Sequence, residues 1–203
     1  ASPLAASLVS LTKAQKMAGV VLANLGAETI SIVVFENDAP VSIKVLPVGS
    51  SDITSALALS LKVPLGEAEQ MKRGAVTSMD VPRKKIDDVI GSRLKEMFAL
   101  IDGHLKAIGK QRLLPAGIVI TGGGSGITTA ADIARATLRL PSAVGSFTAA
   151  GGRAIVGDAA WSVAYGLCRW GYATEQKERD RGVVYIGEQL REFFKKMFRS
   201  FLP

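Results

Sequence analysis

Cysteine is almost missing from this 203-residue chain: Cys168 is the only one. A single thiol excludes an internal disulfide and fits a reducing cytoplasm. Cys168 stands beside Leu167 and near Trp170, so a packed thiol is expected rather than a nucleophile. Histidine is as scarce, and the lone His104 reads as a surface or packing residue, not a ligand. No catalytic residue and no metal ligand is assigned. Aromatic residues make up only 6%, leaving no base-stacking platform, and no RNA-binding signature is present. A nucleic-acid partner is therefore not expected, despite a formal charge of +7 and a pI near 9.7. Attraction to anionic lipid or to an acidic peptide explains that charge more simply. No run approaches the ~18 unbroken apolar residues of a spanning helix. Hydrophobic residues still make up 48% of the chain, with a mean hydropathy of +0.26, and must fill buried strands and helices. No internal repeat and no signal peptide is visible. The chain opens on ASPLAASL without methionine, as a fragment or processed chain does.

What is present alternates between two periodicities. Residues 19–25 (GVVLANL), 30–35 (ISIVVF) and 41–48 (VSIKVLPV) are β-branched runs separated by turn residues, which predicts an antiparallel meander. Gly49-Ser50-Ser51-Asp52 supplies a helix start, and 53–61 is expected to be helical up to the stop before Pro64. A helix over 65–73 ends at Gly74. Residues 83–110 carry apolar positions from Ile86 to Ile108 at mixed three- and four-residue steps, the mark of a long helix. Residues 117–121 (GIVIT) read as a buried strand running into glycines 122–124 and 126, then a helix to about residue 139. Another helix is expected at 161–170. The chain is α/β.

The end of the chain makes a prediction of its own. As a helix, 186–202 places Ile186, Leu190, Phe193, Phe194, Met197, Phe198, Phe201 and Leu202 on one face, opposite Arg191, Lys195, Lys196 and Arg199. Four phenylalanines opposed to basic residues describe a helix lying in a membrane interface, with Lys195 at its polar edge. The preceding polar stretch, 173–182, reads as a solvated tether. A protein groove, or the domain's own core, are the other surfaces such a stripe fits.

Two glycine turns have the composition to approach a phosphate or ribose: Asn24-Leu25-Gly26-Ala27-Glu28-Thr29 and Thr121-Gly122-Gly123-Gly124-Ser125. Their arrangement resembles the actin/Hsp70-like ATPase superfamily, and in detail its cell-division branch, the FtsA family. That family's D-[IL]-G-G-G-T-[TM]-D turn reads Asn24 to Ser31 here. Further matches are Leu46-Pro47-Val48-Gly49 onward to Ile53-Thr54, Ala68-Glu69-Gln70-Met71-Lys72, and Val89-Ile90-Gly91-Ser92-Arg93-Leu94-Lys95-Glu96. Residues 117–123 match the adenosine motif G-I-V-[IL]-T-G-G throughout. The likeness continues through Gly151-Gly152, Ala164 and Gly166-Leu167 to the charged linker and terminal helix, covering essentially the whole chain.

The resemblance implies the C-terminal half of an actin-like (ribonuclease H-like) molecule. Its parts would be a meander of subdomain 2A at 1–50, a reduced helical subdomain 2B at 51–112, and the rest of 2A at 113–172. A linker at 173–184 and a membrane-targeting helix at 185–203 would follow. Carried over residue by residue, Gly26 would approach phosphates, Glu69 and Lys72 would face the ribose, and Gly122, Gly123 and Gly124 would back the adenosine. On residue type alone, Glu69 and Lys72 read equally as an exposed helix pair. ATP with magnesium is implied only together with the absent N-terminal half. Asn24 and Ser31 replace aspartates, and Glu28 sets a carboxylate where a glycine normally meets phosphate, so hydrolysis is expected to be weak or absent. The implied partners are the acidic C-terminal peptide of FtsZ, gripped by Arg83, Lys84, Lys85, Arg93 and Lys95 with Lys106 nearby, anionic lipid, and further copies in an actin-like filament. The implied place is the cytoplasmic face of the membrane at the division site. An actin-like or sugar-kinase-like ATPase and a pilus-assembly scaffold of the PilM kind are the rival readings.

Overall fold

Strand β1 (Val20–Leu25) and strand β2 (Ile30–Glu36) are β-branched runs on either side of the Gly26 turn, and they pair antiparallel with Asn24 opposite Ser31. Strand β3 (Ala39–Leu46) returns through Asn37-Asp38, whose φ values of 52° and 62° are those a two-residue hairpin needs and these residue types tolerate. Strand β4 (Ile118–Thr121) and strand β5 (Ser142–Val144) continue the sheet in parallel on the other side of β1, giving the order β3-β2-β1-β4-β5. The expected meander is present. Three-residue β5, half-buried to exposed, has too few residues to show any alternation in the sequence. This computed structural model describes residues 2–75, 81–146 and 159–175.

Both faces of the central strands are covered, and the period of two sorts their side chains. Val21, Ala23, Ile32, Val34 and Ile120 enter one core, and Leu22, Val33, Phe35 and Val119 enter a second. The first core is closed by helices α3 (Ser50–Leu61), α4 (Leu65–Lys72), α5 (Arg83–Ala107) and α6 (Ala130–Leu138). Along α5, Ile86, Ile90, Leu94, Met97, Ile101 and Leu105 form the buried stripe read from the sequence. At 25 residues this helix is about 37 Å long. Phe98, fully buried, is among its largest side chains.

The second core is closed by helix α1 (Ser2–Ser10), through Leu4 and Ala6, with Leu11 and Val163 beside it. Helix α2 (Lys13–Ala18) buries no residue of its own and lays Lys16 over the Phe35 ring at 4.9 Å. The sequence pattern makes no assignment for either helix. Alanine and serine dominate α1, so its apolar periodicity is weak even though Ala5 and Ala6 are wholly buried. Helix α2 is announced by Thr12 and Gln15, which cap its start reciprocally. Gly166 lies so close to the Ala5 carbonyl that a Cβ would have no room, which explains a glycine there.

The chain divides into two compact units, Ala1–Gly166 and Leu167–Pro203. In the first, residues 162–166 are helical; in the second, the described residues, 167–175, are helical as well, including positions 173–175, where a polar linker is expected. Cys168 is exposed, not packed. Its apolar neighbours Leu167 and Trp170 are themselves exposed, so apolar company in sequence does not here mean a core. The amphipathic stripe of 186–202 lies outside the described residues.

Candidate functional site

The site begins where β1 and β4 end. These strands are neighbours and parallel, with Asn24 beside Thr121, so both glycine turns leave the sheet at the same edge. In open sheets the carboxyl ends of adjacent parallel strands are where ligand crevices form. The two turns, 97 residues apart at Asn24 and Thr121, meet there.

The first turn is closed by Gly26 N–H donating to the Thr29 carbonyl at 2.9 Å. It is then fastened to the start of α3: Ser50 N–H donates to Gly26 O at 2.9 Å and Ser51 N–H to Ala27 O at 2.8 Å. Gly49 passes so near Ala27 that only glycine fits, and its own N–H donates to Asp52 Oδ2 at 2.8 Å. The amides of Ser50 and Ser51 are thus spent on the turn and are not available to an anion at the helix start. Glu28 is exposed at the tip.

The second turn separates glycines by purpose. At Gly122, φ is +86°, and a Cβ would stand 2.5 Å from Leu25 O and 2.8 Å from Asn24 Oδ1. A Cβ on Gly124 would stand 2.9 Å from the Leu25 Cβ. Both are glycine for packing. Gly123 and Gly126 would place a Cβ against no protein atom, in open space. A 3-10 turn spans Gly123–Gly126, and α6 begins only at Ala130, later than the sequence pattern predicts.

That open space is a cleft of about 560 Å³, lined by Ala27, Ser50, Ser51, Glu69, Lys72, Arg73 and the glycines 123, 124 and 126, among others. Of the residues singled out from the sequence, Glu69, Lys72, Gly123 and Gly124 are brought together here. Gly26 and Gly122 are not part of the lining. Ser50, Ser51, Arg73 and Gly126 belong to it as well. Gly126 was legible, since it continues the same glycine run.

Glu69 and Lys72 are no ordinary exposed helix pair. The Lys72 side chain is only 8% exposed, against 34% for Glu69 and 76% for Arg73. Lys72 Nζ donates to Glu69 Oε2 at 2.7 Å, Thr54 Oγ1 at 2.9 Å and the Ser50 carbonyl at 3.1 Å. Glu69 Oε2 also accepts from Thr54 Oγ1 at 2.7 Å, and Oε1 from Arg73 Nε at 2.9 Å. Burial pushes the Glu69 carboxyl upward. The hydrogen bonds from Lys72, Thr54 and Arg73, with the Lys72 charge, outweigh that and hold it at about 2. The cleft wall is therefore a fixed carboxylate beside a guanidinium, over a glycine floor. A carboxylate in the wall suits a neutral group bearing hydroxyls better than a triphosphate, whose charge it would repel. Asn24 Oδ1 faces Thr121 Oγ1 at 3.4 Å, and no three His, Cys, Asp or Glu side chains among the described residues converge as metal ligands.

The cationic residues of α5 do not form one patch. Lys85 and Arg93 line a groove of about 390 Å³ between α3 and α5, with Leu59, Val89, Asp88 and Glu96. Arg93 is paired with Glu96 at 2.7 Å. Arg83 lies 4.0 Å from Asp87 and lines a different hollow, with Arg73 and Thr129. Lys84 and Lys95 are exposed and line neither. His104 is half-buried, with Nε2 2.9 Å from Ser42 Oγ of β3, which agrees with a packing role. No helix among the described residues is long and apolar enough to cross a membrane. The expected membrane-binding residues from Ile186 to Leu202 lie outside the described residues.

The family model "Cell division protein FtsA" matches residues 21–166. The chain is 29% identical to cell division protein FtsA of Pseudomonas aeruginosa, over 87% of this chain and 47% of the relative. It is 32% identical to that of Neisseria meningitidis serogroup B, over 74% of this chain and 42% of the relative. It thus spans about half the length of the curated relatives it matches. Among solved structures, a PilM-PilN type IV pilus biogenesis complex aligns with a TM-score of 0.64 and 25% identity, over 84% of this chain and 51% of that one. MreB 5 of Spiroplasma citri bound to AMPPNP aligns with a TM-score of 0.68 and 13% identity, over 88% and 60%. The α/β fold is accordingly the actin-like one the motifs imply, and the chain belongs to the cell division protein FtsA family.

Proposed function

We propose that this chain is the C-terminal half of an actin-like adaptor that polymerises and tethers FtsZ filaments to the cytoplasmic face of the membrane at the division site. The observation that carries the reading is the family match over residues 21–166. One surface holds the acidic C-terminal peptide of FtsZ. The groove between α3 and α5, with Lys85 and Arg93 at its rim and Leu59 within, has the chemistry for an acidic peptide with an apolar anchor. The amphipathic stripe of 186–202 supplies a reversible lipid anchor, and self-association into actin-like filaments multiplies it.

The cleft takes the adenosine end of ATP, and phosphates with magnesium are held only together with the N-terminal half. Glu69, Gly123 and Gly126 support the first part. The engaged amides of Ser50 and Ser51, the amide of Asn24 and the carboxylate of Glu28 support weak or absent hydrolysis. The work is scaffolding rather than turnover.

Co-sedimentation tests the tether. With vesicles containing anionic lipid, the chain is expected to pellet and to bring FtsZ down with it, whereas FtsZ lacking its terminal peptide stays in solution. Phe194→Glu with Phe198→Glu is expected to abolish pelleting. Unchanged pelleting of that variant overturns the anchor. The likeness to the PilM structure keeps a second scaffold reading open; failure to bind the FtsZ tail while vesicle binding persists would favour it.

A further inference from the structure

Thr54 lies at the start of the second turn of α3, buried and outside the cleft lining. Its hydroxyl has one proton and three neighbours. Glu69 Oε2, at 2.7 Å and charged, takes that proton in preference to the Ser50 carbonyl at 3.3 Å. The hydroxyl oxygen then accepts from Lys72 at 2.9 Å. Lys72 has three N–H donors, and Glu69, Thr54 and Ser50 O use all three. Glu69 Oε2 already has two donors. Oε1 has one, Arg73 Nε, and keeps an open lone pair.

We propose that Thr54 is the positioning residue of this cleft: it ties Lys72 into the protein so that Glu69 Oε1 and Arg73, not Lys72, meet the hydroxyl groups of a ligand. The ligand's identity as a ribonucleoside rests on the reading given above; the hold of Thr54 on Glu69 does not. Lys72 then acts as a strut between α4 and α3, and the contact offered to a ribose is a carboxylate oxygen accepting from its hydroxyl. A threonine at this place decides which oxygen of Glu69 is left for recognition. The low carboxyl value of Glu69 agrees with the same three donors.

The test has two arms. In the first, the Glu69 side-chain carboxyl is followed by ¹³C NMR through acid titration in the parent chain, Thr54→Val and Thr54→Ser. The parent is expected to titrate at about 2. Valine should raise the midpoint by about one pH unit or more, a tenfold change in protonation, and serine should restore it. Thr54→Ala, which has no hydroxyl to donate, replaces valine if that variant does not fold, with the same expected rise. An unchanged midpoint overturns the proposal, even if thermal stability falls. In the second arm, the full-length protein is titrated with ATP and with 2′,3′-dideoxy-ATP. Thr54→Val is expected to lose the parent's preference for ATP while binding the dideoxy compound as before. Equal loss of both nucleotides overturns the positioning role. A raised Glu69 midpoint with no nucleotide bound by the parent upholds the strut and overturns the adenosine reading.

Discussion

Asn24 Oδ1 occupies the space that a side chain on Gly122 would need, 2.8 Å from where its Cβ would stand. The two glycine turns are thus interlocked through one side-chain oxygen and one missing methyl group. Gly122→Ala adds that clash to a φ of +86° and is expected to destabilise the fold by about 2 kcal/mol or more. Gly123→Ala meets no protein atom and should change stability by less than about 0.5 kcal/mol while intruding into the cleft. Urea denaturation of the two variants checks the contrast. Similar losses would mean that Gly123 too is there for packing.

Acid should weaken the cleft in a defined window. The Glu69 carboxyl is held at about 2 in the fold, below its ordinary 4.5. Its contribution to stability is therefore fully present above pH 4.5 and is lost as pH falls toward 2. Glu69→Gln removes the titrating group, so its stability should fall less steeply across that window. Denaturation midpoints at several acid pH values measure the difference.

A second titration lies nearer neutrality. Burial lowers the His104 ring below its ordinary 6.5, and the nearby Lys44 charge adds to this. The fold thus favours the neutral ring, and the stability it contributes is present above pH 6.5 and declines on acidification below it. The bond to Ser42 joins α5 to β3 and survives protonation, since the charged ring can donate to the hydroxyl. The loss therefore comes from the buried charge and its repulsion by Lys44. His104→Gln, which keeps a polar partner for Ser42, is expected to flatten the loss between neutral pH and pH 5.5, as read by thermal melting.

The groove between α3 and α5 makes a salt-dependent prediction. Lys85→Glu should weaken binding of an acidic, FtsZ-tail-like peptide about fivefold, or ~1 kcal/mol. Parent affinity should fall with added salt, because Lys85 is exposed and screened. Lys84→Glu, outside the groove lining, is expected to do less. Fluorescence anisotropy at two salt concentrations measures both effects.

Strong periodicities were the legible part of this fold. The β-branched runs of β1 and β2, the Asn37-Asp38 turn and the long stripe of α5 each carry their own signal, and each forms where the pattern puts it. Helix α1 did not announce itself, because alanine and serine bury well without contrasting with their neighbours. Within the cleft, residue types pointed to Glu69, Lys72 and the glycines but could not divide them. Only coordinates separate Gly122 and Gly124, pressed on Leu25, from Gly123 and Gly126, open to the cleft. The depth of Lys72 depends on Thr54 and Ser50, eighteen and twenty-two residues earlier, which no local pattern reveals.

The seating of Gly166 on Ala5 has a practical consequence for anyone cutting the gene. The family-model match starts at residue 21, but the physical body does not. An excised piece trimmed to the recognisable part would strip α1 and α2 from the sheet and bare Leu22, Val33 and Phe35 to water. Such a truncation should precipitate or need detergent, whereas the piece that keeps those first eighteen residues carries its own lid.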